Sequence, residues 1–108
     1  METQRIAYCC GERELRVFRL VGKRWTLPIL AALMHGQARF SEVARAVPGL
    51  SERVMSERLQ ELCEAGLVER AVTPGPPVAT SYRLTAHGER LRPAVESLLE
   101  AAAALPAD

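Results

Sequence analysis

The chain has no surplus of either charge: 14 Lys and Arg stand against 13 Asp and Glu in 108 residues. A dense basic surface, the usual footprint of a nucleic-acid binder, is therefore absent from the composition, and any reading of that kind must rest on pattern. Long apolar runs are missing too. The longest, Leu27 to Met34, falls far short of the roughly 20 residues that span a bilayer, so no membrane contact is expected. The opening M-E-T-Q-R-I-A-Y-C-C-G has no basic segment followed by an apolar core, which predicts a cytoplasmic chain without a secretory signal. Three cysteines, Cys9 and Cys10 side by side and Cys63 inside a helical pattern, make no disulfide framework, in keeping with a reducing compartment. His35, His87 and the cysteines lack C-x-x-C or H-x-x-x-H spacing, so no metal is expected. Nucleophile motifs, paired catalytic carboxylates, phosphate-cradling glycine loops and cofactor fingerprints are all missing. Neither an enzyme nor a bound cofactor is predicted.

What the chain does have is an ordered series of elements sized for one domain with one core. Residues 1–11 read as a flexible arm, and residues 12–35 as two helices. In the first, Glu12 to Val21, the spacing of Leu15, Phe18 and Val21 gives an apolar face with Arg13, Arg16 and Arg19 opposite. The second, Trp25 to Met34, is almost wholly apolar and is predicted to be buried, with Trp25 as a core anchor. Its start is set either by Thr26 as N-cap or by a first turn distorted at Pro28.

Residues 38–84 are the most informative stretch. Ala38 to Phe40 suits a bridge strand, and Ser41 is placed to cap a helix from Glu42 to Val47 that Pro48 and Gly49 break. Ser51 is a second N-cap, and Met55, Leu59 and Leu62 recur as one apolar stripe before Gly66. That stripe turns Arg53, Ser56, Glu57 and Gln60 outward on a helix from Glu52 to Ala65. Leu67 to Val72 and Ser81 to Leu84 alternate around the loop T-P-G-P-P-V-A-T, the pattern of a hairpin. Thr85 then caps a last helix over residues 85–105, interrupted at Gly88 and Pro93, whose Leu91, Val95, Leu98, Ala102 and Leu105 form a seam. The fold class is mainly α with a small β-hairpin. Strand, helix, turn, second helix and hairpin is the order of a winged helix-turn-helix, which seats one helix in a DNA major groove with the hairpin as wing.

These residues carry a resemblance to the HxlR-type branch of the MarR-like bacterial transcription regulators, over about Glu12 to Ala104. Its signposts are G-K-R-W-T-L-P-I-L at Gly22 to Leu30, R-F-S-E-V at Arg39 to Val43, and S-E-R-V-M-S-E-R-L-Q-E-L at Ser51 to Leu62. Gly66-Leu67-Val68 with Arg70, and Tyr82-Arg83-Leu84-Thr85 with Gly88, complete the set. The resemblance implies a homodimer joined by its N- and C-terminal helices, bound to a near-palindromic double-stranded operator, and answering a small electrophile, an oxidant or another small ligand. Leu15, Phe18, Val21, Leu91, Val95, Leu98, Ala102 and Leu105 are the expected dimer residues. The family places a cysteine, usually followed by proline, ahead of the G-K-W element. Cys9 and Cys10 lie near that place here, with Gly11 following. Cys10 also precedes a helix N-terminus with Arg13 nearby, and both features stabilise a thiolate. The same two cysteines also read as incidental residues of the arm, and Cys63 as core filling.

Arg53, in the first turn, is the leading base or phosphate contact. Ser56 and Gln60 can bond bases or backbone, and Arg58 is expected to reach a phosphate from the flank. Ser51 stands at the N-terminus of the same helix, while Glu57 can accept from cytosine or act as a solvated face residue. Arg39, Arg70 and Arg83 are candidate phosphate contacts, with Arg70 alternatively paired to Glu69 or to the helix end. No basic residue lies between Val72 and Tyr82, so the wing tip is expected to read little sequence. Five arginines face six glutamates from Arg39 to Arg70, which keeps open a protein-interaction module without DNA affinity.

Overall fold

The computed structural model describes residues 10–106. Its elements are α1 (Glu12–Val21), α2 (Thr26–Leu33), β1 (Ala38–Arg39), α3 (Phe40–Ala46), α4 (Glu52–Glu64), β2 (Val68–Thr73), β3 (Ala79–Leu84), α5 (Ala86–Glu89) and α6 (Arg92–Ala104). The strands form one antiparallel sheet in the order β1-β3-β2, with Ala38 opposite Tyr82 and Val68 to Thr73 opposite Leu84 to Ala79. Helices with a three-stranded antiparallel sheet, its β2–β3 hairpin following α4 and packed on it through β2, make a winged helix-turn-helix. No helix among the described residues is long and apolar enough to cross a membrane. Cys9 and most of the expected arm lie outside the described residues.

The core is built around α2. Ile29, Leu30 and Leu33 are at most 1% exposed and join Val43 of α3, Met55, Leu59 and Leu62 of α4, Val68 and Tyr82 in one cluster. A helix apolar on all sides must be covered on all sides, and α2 touches α1, α3, α4, α6 and β3.

Its start differs from both sequence readings. Thr26 is the first helical residue, and Trp25 occupies the N-cap position in a left-handed conformation, φ 81°. That conformation is costly for a residue with a Cβ and must be held by its surroundings. Pro28 falls in the first turn, where a missing amide proton breaks no helical bond. Ser41 does not cap α3 either. The chain leaves β1 extended at Arg39, and the Glu42 carboxylate turns back to accept from the Arg39 N–H at 2.7 Å, so the helix begins at Phe40 and ends at Ala46. Ser51 does cap α4, accepting from the Val54 N–H at 3.2 Å. That helix closes at Glu64 with Ala65 as C-cap, one residue before the expected end.

Beyond the hairpin the predicted last helix is two pieces. Thr85 Oγ1 accepts from the Gly88 N–H at 3.1 Å and donates to the Gly66 carbonyl at 2.6 Å, which ties the single turn α5 to the end of α4. Gly88 is a contact residue and not only an interruption: a Cβ there would collide with the Leu67 carbonyl oxygen. The expected seam divides accordingly. Leu91 packs on the core and Val95 is 5% exposed, whereas Leu98 is 54% and Leu105 69% exposed, Leu105 as an extended C-cap.

Gly88→Ala should lower unfolding stability in urea by about 1–3 kcal/mol, the range for forcing an extra methyl into a closed contact. An unchanged urea midpoint would show that the α5 turn backs away from the hairpin at no cost.

Candidate nucleic-acid interface

The reading face follows from which side of α4 is buried. With Met55, Leu59 and Leu62 inward, Arg53, Ser56, Glu57 and Gln60 are all exposed on the opposite side. The Arg53 side chain is 86% exposed, and its Nε lies 3.7 Å from the Glu57 carboxylate one turn later. Gln60 donates to Glu64 at 3.3 Å. Ser51 is exposed, its hydroxyl engaged in the cap. These are loose contacts between solvated groups, so Arg53 and Gln60 can be redirected by a competing partner at small cost.

Arg58 sits differently from its expected role. Its side chain is only 18% exposed and is folded onto the loop between α1 and α2. There Nε donates to the Arg24 carbonyl at 3.0 Å, and Nη1 stands 3.4 Å from Glu61. Lys23 Nζ reaches the same Glu61 carboxylate at 2.8 Å. Sequence reasoning missed this group because Lys23 and Glu61 are 38 residues apart, and no local pattern joins them. In the wing, Arg83 and not Arg70 pairs with Glu69. The two face each other across β2 and β3, 3.0 Å apart, whereas Arg70 lies opposite Tyr82 and makes no ion pair among the described residues. Arg39 is exposed on β1. The interface thus brings together a helix face, an exposed Arg70 and Arg39, and a charge-compensated Arg83.

Between α4 and the wing runs a groove of about 650 Å3 lined by Ser56, Gln60, Cys63, Val68, Glu69, Arg70 and Tyr82. Cys63 is half-buried against the core. Burial pushes its thiol pKa up, Arg70 opposes that shift, and Glu64 adds to it. A second groove of about 780 Å3, more apolar, is walled by Trp25, Ala32, His35, Val47 and Leu99 with Arg92 and Glu96. Cys10 is half-buried two residues before α1. Among the described residues no three His, Cys, Asp or Glu side chains gather as a metal site.

Leu15 and Phe18 of α1 are 40% and 56% exposed, while Val21 turns toward the core. With Leu98, Leu99 and Ala102 of α6 they leave two helices with uncovered apolar faces.

Comparison with known proteins agrees with this architecture. The HxlR-like helix-turn-helix family matches residues 20–105. The HTH-type transcriptional regulator YvaP of Bacillus subtilis is 47% identical over 74 residues, covering 68% of each chain. YodB of the same organism, also an HTH-type transcriptional regulator, is 43% identical over 75 residues, 69% of this chain and 67% of YodB. The crystal structure of diamide-treated YodB superposes with a TM-score of 0.76 at 33% identity, over 94% of this chain and all of that one. The redox regulator HypR in its oxidised form gives a TM-score of 0.81 at 27% identity, over 85% of this chain and 95% of HypR. A helix cap, a buried stripe and an outward polar face, set beside a wing and matched along nearly the whole chain, place it plainly: this protein belongs to the HxlR-like helix-turn-helix family and is a transcriptional regulator of that type, not an enzyme.

Proposed function

We propose that the chain acts in the cytoplasm as a homodimer that reads a near-palindromic operator with α4, and that oxidation, an electrophile or a small ligand releases it. The observation that carries the reading is the outward face of α4, where Arg53, Ser56 and Gln60 project from a helix whose other side is fixed in the core. Arg53 forks onto guanine or a phosphate, Ser56 and Gln60 bond bases or backbone, and Ser51, Arg39, Arg70 and Arg83 hold the flanking phosphates. Glu57 neutralises Arg53 in the unbound protein and yields it to DNA. A two-fold axis through paired α1 and α6 helices presents two such faces, which matches a palindrome half-site by half-site. The alternative, a protein-interaction module, is favoured only by the pairing of Arg53 with Glu57 and of Arg83 with Glu69.

A gel-shift titration against DNA from the region upstream of the protein's own gene tests the reading. Arg53→Ala combined with Ser56→Ala should abolish the discrete shift while leaving the circular dichroism spectrum unchanged. With about four to six phosphates neutralised per dimer, log K should fall against log salt with a slope of about −4 to −5. Failure of the parent protein to shift any such DNA at low salt, or full binding by the double variant, would favour the interaction module.

The oxidant arm is supported by the likeness to diamide-treated YodB and oxidised HypR. Diamide should remove the shift and a reductant restore it, and Cys10→Ser should make binding indifferent to diamide. Cys63 is a poor candidate for the fast thiol, because its raised pKa leaves little thiolate at neutral pH. Since the folded chain holds that proton more tightly than the unfolded one, the accompanying stability is present below the ordinary thiol range. It is lost as pH rises through that range. Iodoacetamide at neutral pH should alkylate Cys63 in the native protein far more slowly than in urea, as read by mass spectrometry. Equal rates would reopen Cys63 as the sensor. The groove beside Trp25 and Leu99 is the candidate seat for a small apolar ligand.

Dimerisation is tested by charge. Phe18→Asp together with Leu98→Asp should shift the sedimentation coefficient at about 10 μM, a concentration well above the Kd of a standard interface, from dimer to monomer. A parent protein that is already monomeric there would remove the homodimer.

A further inference from the structure

Burial fixes which side of α4 faces inward, but apolar contact is not directional. A stripe of three residues restrains translation of a helix better than its roll. Directed hydrogen bonds to charged groups supply the missing restraint, and among the described residues α4 makes them to another element on one flank. That flank faces the loop between α1 and α2. Glu61 accepts from Lys23 Nζ at 2.8 Å, Arg58 Nη1 stands 3.4 Å from the same carboxylate, and Arg58 Nε donates to the Arg24 carbonyl at 3.0 Å. The loop is itself braced. Arg24 stacks over Trp25 at 5.0 Å, Trp25 holds the left-handed φ of 81°, and its ring lies 3.5 Å from where a Cβ on Gly49 would stand, in the turn leading into α4. The loop therefore touches α4 along its flank and, through Trp25, the turn before its N-terminus.

We propose that Arg58, Glu61 and Lys23 form a clamp that sets the roll of α4 relative to the end of α1. Arg58 is thus a positioning residue and not a phosphate contact. This rests on the reading of α4 as the DNA-reading helix. A roll of about 10–20° is enough to take a recognition side chain out of productive geometry, so the clamp decides whether Arg53 and Gln60 address the same bases together. It also joins the reading face to the end of α1, a helix that holds Leu15 and Phe18 exposed. Of the three side chains, Arg58 is 18% and Glu61 28% exposed while Lys23 is 48% exposed. The contacts that cross from α4 to the loop are Lys23–Glu61 and Arg58 Nε to the Arg24 carbonyl; the Arg58–Glu61 pair lies within α4 and holds the two side chains in place for them. Of the two crossing contacts the Arg58 one is the better shielded from solvent and salt.

The test uses the whole chain with Glu61→Gln, Arg58→Met and Lys23→Met. Glu61→Gln should weaken operator binding about tenfold, the scale of losing hydrogen bonds to a charged group, and Lys23→Met should weaken it in the same direction. Arg58→Met should weaken binding without changing the salt slope, because no phosphate contact is lost. A slope flattened by about 0.9 per subunit would make Arg58 a phosphate ligand and overturn the clamp. Parental affinity in Glu61→Gln would overturn it equally.

Amide hydrogen exchange without DNA gives an independent readout. The Thr26 and Ile29 amides, which close the junction onto the Lys23 and Trp25 carbonyls at 3.2 and 3.1 Å, should exchange faster in Glu61→Gln, and unchanged exchange would overturn the clamp. If the parent protein shifts no DNA, the regulator reading fails before any variant is made. The exchange result then still decides whether the loop and α4 are mechanically joined.

Discussion

The structure depends on covering α2. A helix whose exposed area has fallen to almost nothing at Ile29, Leu30 and Leu33 must be walled by its neighbours, and among the described residues α1, α3, α4 and α6 are all recruited to do it. At roughly 25 cal/mol per Å2 of apolar surface removed from water, this burial outweighs any ion pair on the surface. It also determines orientation. Once Met55, Leu59 and Leu62 are committed to α2 and the sheet, the polar face of α4 has nowhere to point except into solvent. The outward polar face of α4, the candidate reading surface, is in this sense a consequence of core formation.

The same commitment explains what is left uncovered. α1 contributes Leu20 and Val21 to the core but holds Leu15 and Phe18 out of it, and α6 docks through Leu91 and Val95 while Leu98 and Leu99 remain open. A small domain cannot bury both long faces of its terminal helices and keep α2 central, because surface grows too fast relative to volume at this size. The uncovered residues lie at the far turns of two helices that already meet α2. Uncovered apolar faces of this kind normally mark a contact surface.

Sequence reading succeeded wherever the determinant was local. Ser51 and the Met55–Leu59–Leu62 stripe declared α4 because a cap and its helix are separated by a few residues, and the hairpin was legible because alternation and turn residues are neighbours in the chain. It failed where a partner came from elsewhere. Ser41 looks like a cap, yet pairing of Ala38 and Arg39 with β3 carries extended backbone up to Arg39, and Glu42 closes the turn two residues earlier than Ser41 would. Gly88 looks like a helix breaker until the Leu67 carbonyl is placed against it. Which arginine meets Glu69 depends on hairpin register, and register is set by the length of a loop whose shape the sequence does not spell out. Trp25 was legible as a core residue but not as a left-handed one, since its conformation is imposed by what packs around it.

The near-zero net charge takes on meaning once these partners are known. Exposed ion pairs contribute about 0–1 kcal/mol each to stability, so Arg53–Glu57 and Arg83–Glu69 do little to hold the fold. What they do is set the electrostatic condition of the reading face before DNA arrives. Each carboxylate offsets the charge of an arginine, and exchange of either partner for another is cheap where both groups are solvated. The Lys23–Glu61–Arg58 group is the exception, because Arg58 and Glu61 are shielded and two of its hydrogen bonds, to Lys23 and to the Arg24 carbonyl, join α4 to the α1–α2 loop. Along α4, charged side chains therefore separate by exposure: Arg53 and Glu57 on the open face remain exchangeable, and Arg58 and Glu61, turned toward the α1–α2 loop, are held in its hydrogen bonds.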